Sequence, residues 1–181
     1  MGSARSGAVQ IHIDSPAEKV WGLLADVERM SAWSPECYRV SWLDGAHSPA
    51  TPGARFRGWN RYGLLRWSVL CQVKSAVPGE EISWTTIARN KEMTTWSYRF
   101  TPSAGGVDLV ESFDVHWYSF SARLAEDFLM RDRTRRREHA MRMTLERIKQ
   151  LAEATRVMPQ AGTWSSASSA MSGWRPIPPG S

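Results

Sequence analysis

The chain has 181 residues, so one domain is the default, with length enough for a substantial core. Hydrophobic residues make up 42%, an ordinary share for a soluble protein, and no run approaches the roughly 18 apolar residues of a membrane span. The net charge of +5, mostly arginine, permits weak attraction to nucleic acid or anionic lipid, but specific nucleic-acid binding is not expected. The N-terminal MGSARSGAVQ has no apolar core of a signal peptide. Cys37 and Cys71 show neither CxxC nor metal-ligand spacing, which favours reduced thiols in a cytoplasmic protein.

In chain order, Ala8–Ile13 alternates apolar and polar residues, the strand period. Asp14-Ser15-Pro16 stops it. Ser15 reads as a helix N-cap, Pro16 as the first helical residue and Glu18 as the partner in a capping box. Val20, Leu23, Leu24 and Val27 then follow at helical spacing. A second short helix is expected from Val27 to Trp33, ended by Ser34-Pro35 because proline disfavours helix in the residue before it.

The period changes to two beyond that point. Tyr38, Val40 and Trp42 are expected on one face, then Phe56, Gly58 and Asn60, then Trp67, Val69, Cys71 and Val73. Ile82, Trp84 and Thr86 follow, then Trp96, Tyr98 and Phe100, then Leu109, Glu111, Phe113 and Val115. Turn signals at Pro78-Gly79 and Ala104-Gly105-Gly106 make this an antiparallel meander. Arg39, Arg55, Arg57, Arg66, Lys74 and Arg99 fall on the opposite faces, so one wall of the sheet reads as wet and basic, the other as apolar and aromatic.

A long helix closes the pattern, with Met141, Leu145, Ile148 and Ala152 in one stripe. Its start stays open, since Leu124 and Phe128 either begin it or belong to a segment before Arg131. The run Arg131–Glu138, RDRTRRRE, reads first as a solvated helix face; RNA, a membrane surface, an acidic partner or a cavity mouth are the other readings. Residues 1–7 read as a flexible N-terminus, 8–154 as the folded domain and 155–181 as a disordered tail rich in Ser, Gly and Pro, in which Trp164 and Trp174 stand out.

With IDSPAEKVWGLLADVERMSAWSP, PGARFRGWNRYGLLRW, ESFDV and MRMTLERIKQLAE in that order, the chain resembles the polyketide cyclase/dehydrase and lipid-transport family of the START and Bet v 1-like superfamily. The resemblance implies an α+β helix-grip fold: a seven-stranded antiparallel sheet curled around the C-terminal helix, with a cavity between them and the two short helices closing one end. It also implies a hydrophobic or aromatic ligand, a lipid or a polyketide-like molecule. One helix cannot fill the concave side of such a sheet, so large side chains or a cavity must supply the volume. The inward set that would line it comprises Trp42, Phe56, Asn60, Trp67, Trp84 and Thr86 from the first half of the sheet. Trp96, Tyr98 and Phe113 join from the second half, and Met141 and Leu145 from the helix.

Family likeness gives no catalytic motif, so each candidate is weighed as chemistry. Glu111 shares inward parity with Phe113, and a carboxyl in an apolar cavity has a raised pKa suited to acid or base work. The structural alternatives are an ion pair with an arginine of the long helix, or a bulge that turns Glu111 outward. Tyr98 is a phenolic donor or simply a core tyrosine, and Asn60 is a ligand anchor or part of the hairpin ending at Tyr62-Gly63. His12, His47, His116 and His139 lack ligand spacing, and there is no G-x-S-x-G or phosphate loop, so no metal or cofactor is expected. Three readings follow. The first is a binding or transport protein for a hydrophobic small molecule. The second is a cyclase/dehydratase-type enzyme using Glu111 with Tyr98 or Asn60. The third, of lower weight, is a protein-interaction module using the basic face and the tail. The sequence carries no signal for oligomeric state.

Overall fold

A computed structural model of the protein describes residues 6–117 and 133–154. The expectations for Leu124, Phe128, Arg131 and the tail, with Trp164 and Trp174, fall outside the described residues. Seven strands form one antiparallel sheet: β1 (Ser6–Ile13), β2 (Cys37–Trp42), β3 (Arg55–Tyr62), β4 (Leu65–Val77), β5 (Glu81–Ala88), β6 (Lys91–Ser103) and β7 (Gly106–Val115). Their order is β1-β7-β6-β5-β4-β3-β2. Every strand from β2 onward lies beside its neighbour in sequence, as a hairpin meander must.

β1 is the exception, and it explains the two small helices. β1 and β2 occupy opposite edges of the sheet. The connection between them must cross its whole width. Helix α1 (Ala17–Ala25), a 3₁₀ turn (Val27–Arg29) and helix α2 (Met30–Trp33) make that crossing. The apolar positions Val20, Leu24 and Val27 are fully buried on the way. Helix α3 (Arg133–Ala154) then packs on β1, α1 and α2. Its stripe Met141, Leu145, Ile148 and Ala152 is buried throughout, as the spacing predicts. The arrangement is a helix-grip-like α+β fold.

Local differences from the sequence reading have simple causes. The first strand starts at Ser6, inside the stretch read as a flexible N-terminus, because Ser6 and Gly7 pair with Asp114 and Phe113. The capping box is not formed. Pro16 is extended (φ −58°, ψ 142°) and itself occupies the N-cap, so Ser15 sits one residue too early. The Ser15 hydroxyl is buried without a hydrogen-bond partner among the described residues, and the Glu18 carboxylate lies against Gly79 instead. Tyr38 does not share a face with Val40 and Trp42. A bulge between Cys37 and Arg39 turns Cys37 inward and leaves Tyr38 exposed. On the outer wall Arg39, Arg55, Arg66, Lys74 and Arg99 are exposed and Arg57 half-buried. That wall is wet and basic, with Arg55 paired to Asp44 at 2.6 Å and Lys74 to Glu92 at 2.7 Å.

Candidate functional site

The concave face is built from strand residues two apart. Register places Phe56 opposite Cys71, Val73 opposite Trp84, Ile82 opposite Tyr98, and Trp96 opposite Phe113. Aromatic rings run across it in edge-on or tilted contact. Trp42 meets Phe56 at 5.6 Å between centroids, Phe56 meets Trp84 at 5.9 Å, and Trp84 meets Tyr98 at 5.4 Å. Trp33 of α2 completes the row, 6.3 Å from Tyr98. Offset and edge-on geometries suit the ring quadrupole, so this row is a well-packed wall. Of the eleven residues expected to line a cavity, Phe56, Trp84, Tyr98, Phe113, Met141 and Leu145 are buried, and Trp42, Asn60, Trp67, Thr86 and Trp96 are half-buried. Thr86 spends its hydroxyl on the backbone of Thr94, and Asn60 pairs in register with Trp67 near the hairpin end.

Glu111 sits in the middle of this wall and is only 3% exposed. No bulge turns it outward: β6 and β7 pair in continuous register, with Tyr98 opposite Glu111. The Tyr98 hydroxyl donates to Glu111 Oε1 at 2.8 Å. Oε2 is buried with no hydrogen-bond partner among the described residues. Burial pushes the Glu111 carboxyl up to about 8, against a smaller lowering by the Tyr98 hydrogen bond. Burial first, and then the neighbouring carboxyl, hold the Tyr98 phenol well above its usual range. At neutral pH both groups are protonated. Because Oε1 accepts from Tyr98, the acid proton belongs on Oε2. The free corner of the pair is therefore an O–H donor.

Two further polar side chains close on the same wall, and the sequence reading passed over both. Arg137, in the run read as a solvated face, is 9% exposed. Its guanidinium lies 4.4 Å over the Phe113 ring, and Nη1 is buried without a hydrogen-bond partner among the described residues. Among the described residues the alternative of an ion pair is not realised: the partner of Glu111 is Tyr98. The sign was in the sequence, since Arg137 stands four residues before Met141 and eight before Leu145, on the buried stripe. Trp33, read only as the end of a short helix, is 2% exposed, and its buried Nε1 has no partner among the described residues. Buried polar groups are nearly always satisfied. Here three of them, on β7, α3 and α2, are left open around Tyr98 and Phe113.

A cavity of about 640 Å³ opens between the start of α3, the β3–β4 hairpin and the α2–β2 link, and none of Trp33, Tyr98, Glu111, Phe113 or Arg137 lines it. Ala140 and Met143 of α3 face it, with Pro35 opposite. Its rim carries Arg61, Arg66, Arg135, Arg136 and His139, with Glu36 as the carboxylate among them. None of the eleven expected cavity residues lines this opening. It shares helical turns with the cluster, since Arg136 and Ala140 adjoin the buried Arg137 and Met141.

A seven-stranded sheet, one long helix and a buried, donor-rich polar spot define a helix-grip-like protein with an internal polar centre. The chain belongs to the family described as polyketide cyclase/dehydrase and lipid transport, whose model matches residues 5–170. No curated protein matches it by sequence. Among solved structures it is similar to protein CV1439 from Chromobacterium violaceum, with TM-score 0.62, 15% identity, and 82% of this chain and 97% of that one covered. Protein MLL2253 from Mesorhizobium loti is similar at TM-score 0.59 and 19% identity, over 83% and 98% of the two chains. The di-domain ARO/CYC StfQ from the steffimycin biosynthetic pathway gives TM-score 0.66 at 13% identity, over 85% of this chain and 52% of that one. At these identities the likeness is one of fold. Among the described residues no helix is long and apolar enough to cross a membrane.

Proposed function

We propose that the protein binds a hydrophobic or aromatic small molecule bearing carbonyl oxygens, polyketide-like rather than purely aliphatic. The observation that carries this reading is the set of three buried polar atoms without a hydrogen-bond partner among the described residues: Glu111 Oε2, Arg137 Nη1 and Trp33 Nε1. With Glu111 protonated, all three are donors, and only acceptor oxygens satisfy them together. Aromatic rings around them suit a flat, apolar body. The 640 Å³ opening near the start of α3 lies within the roughly 300–1,000 Å³ typical of ligand sites.

A second reading is favoured by the raised Glu111 pKa. A neutral carboxyl beside a neutral phenol is poised to protonate a ligand carbonyl at pH 7, the step that a cyclase or dehydratase needs from an acid. The likeness to StfQ, a di-domain ARO/CYC, adds weight by analogy of fold alone. A cytoplasmic setting and the absence of any cofactor belong to both readings.

Native mass spectrometry of freshly purified protein, followed by denaturing extraction, tests the first. The expected result is an extra mass released as a carbonyl-bearing hydrophobic molecule, reduced in Arg137→Met. A clean apo mass, together with no quenching of tryptophan fluorescence by an added hydroxyanthraquinone, refutes binding. Turnover of an identified ligand that survives Glu111→Gln unchanged refutes the acid role.

A further inference from the structure

The β3–β4 hairpin ends in a two-residue loop, Gly63-Leu64, between the paired residues Tyr62 and Leu65. Gly63 takes a positive φ of 54°, the conformation that the first loop position of such a hairpin demands. The second position demands no apolar side chain, yet it holds Leu64, which is 100% exposed. Leu65 at 44% and Tyr62 at 40% pair directly below it, and Tyr38 at 37% stands on the neighbouring strand under Arg61 and Arg66. A soluble chain gains nothing by projecting a leucine at a turn tip. Single exposed apolar residues are ordinary, but a contiguous protruding set marks a contact surface.

The charges around this tip point to what it contacts. One step below it, Arg61 and Arg66 are direct cross-strand partners. Like charges placed directly opposite destabilise a sheet. Both guanidiniums lean on the Tyr38 ring at 5.8 Å, and Arg136 stacks on Tyr62 at 4.1 Å. Arg135 stands beside them on the rim of the cleft. Among the described residues none of these four arginines is paired with a carboxylate. Glu36 is the one acidic residue among the described residues that line the cleft, so the four arginines keep the collar cationic. An apolar tip beside three arginines stacked on tyrosines and a fourth on the rim, without a carboxylate partner among the described residues, has the layout of an interfacial anchor: leucine below the headgroups, aromatic rings at their level, guanidiniums on the phosphates.

We infer that the Tyr62–Leu65 hairpin tip, with the collar of Arg61, Arg66, Arg135 and Arg136, docks the protein on the surface of an anionic lipid bilayer. Nothing in this depends on what the interior holds, so it stands or falls apart from the ligand-binding reading. The docked orientation places the mouth of the cleft against the bilayer, because Tyr62 and Gly63 belong to both.

Co-sedimentation with vesicles of phosphatidylcholine containing about 30% phosphatidylserine tests it, against pure phosphatidylcholine, at about 0.05 and 0.5 M salt. Binding is expected only to the anionic vesicles, and to weaken strongly at high salt. Leu64→Ser with Leu65→Ser removes two insertable side chains and should lower the partition coefficient at least ~10-fold. Arg135→Glu with Arg136→Glu should lower it by ~25-fold or more, about fivefold for each lost basic contact. A dye placed by Leu64→Cys reports insertion directly, since Cys37 and Cys71 are buried, and its emission should shift to the blue on anionic vesicles. Absence of sedimentation at low salt overturns the inference, as does an unshifted dye. Binding that survives the double serine variant and is abolished by excess RNA reveals a general polyanion surface and also overturns it. A dimer in light scattering that is lost in Leu64→Ser would put a second copy of the chain on the tip instead, with the same consequence.

Discussion

Replacing Glu111 by glutamine should stabilise the fold, and by an amount that depends on pH in a defined way. The folded carboxyl titrates near 8 and the unfolded one near 4.5. Below pH 4.5 both states carry the proton and pH has no effect through this group. Between the two values the unfolded chain gives up a proton that the folded chain keeps. Wild-type stability therefore falls as pH rises, by about 1.4 kcal/mol per pH unit, and levels off above the folded value. The gap of about 3.5 corresponds to roughly 5 kcal/mol in all, an upper figure because a buried site relaxes and admits water. Glutamine keeps the acceptor for Tyr98 and cannot ionise. The Tyr98 phenol faces the carboxyl as its hydrogen-bond donor, and it stays in place. Urea unfolding of the two proteins at pH 5, 6, 7 and 8, followed by tryptophan fluorescence, isolates the difference; His12 titrates equally in both. The variant's advantage should grow by roughly 4 kcal/mol from pH 5 to pH 8. In melting experiments on a domain of this size that is on the order of 10 °C. Parallel stability curves across this range would refute the protonated, desolvated carboxyl, and with it the donor set on which the ligand reading rests.

Arg137→Met should be neutral or stabilising by about 1–2 kcal/mol, since it replaces a buried cation lacking a hydrogen-bond partner at Nη1 with an apolar chain of similar length. Bound ligand should fall in the same variant, as read by native mass spectrometry; a gain in stability with undiminished ligand would remove Arg137 from the site. His12 is hydrogen-bonded to Asp108 at 2.8 Å, which raises its pKa, with Asp14 adding to the effect. The stabilisation from the charged ring is complete below the unfolded pKa and is lost as pH rises through the higher folded one. A proton NMR titration should show the His12 pKa falling in Asp108→Asn, and an unchanged midpoint would contradict the contact. At Gly106 any Cβ would run into the Ile13 carbonyl oxygen. Gly106→Ala should therefore loosen the β1–β7 end and cost about 1–3 kcal/mol of unfolding free energy, and a neutral outcome by urea titration would show that the strands have room to part.

The sequence by itself determined the element order, the meander and the buried stripe of α3, because each rests on local period: two in the strands, 3.6 in the helix. Strand parity also carried Glu111 inward, and continuous pairing with β6 kept it there. Tertiary structure decided what parity cannot reach. Placement of β1 beside β7 is a long-range pairing, and only that placement explains why α1 and α2 must span the sheet. The bulge at Cys37–Arg39 inserted one residue and turned Tyr38 out to the arginines of the hairpin. Ser15 failed as a cap because Pro16, which fits a first helical position by type, adopted the extended backbone of the cap itself. Arg137 and Trp33 entered the site for a reason that no spacing encodes. A charged residue in a basic run and a tryptophan at a helix end acquire meaning only when packing strips their water and leaves a donor with nothing to bond.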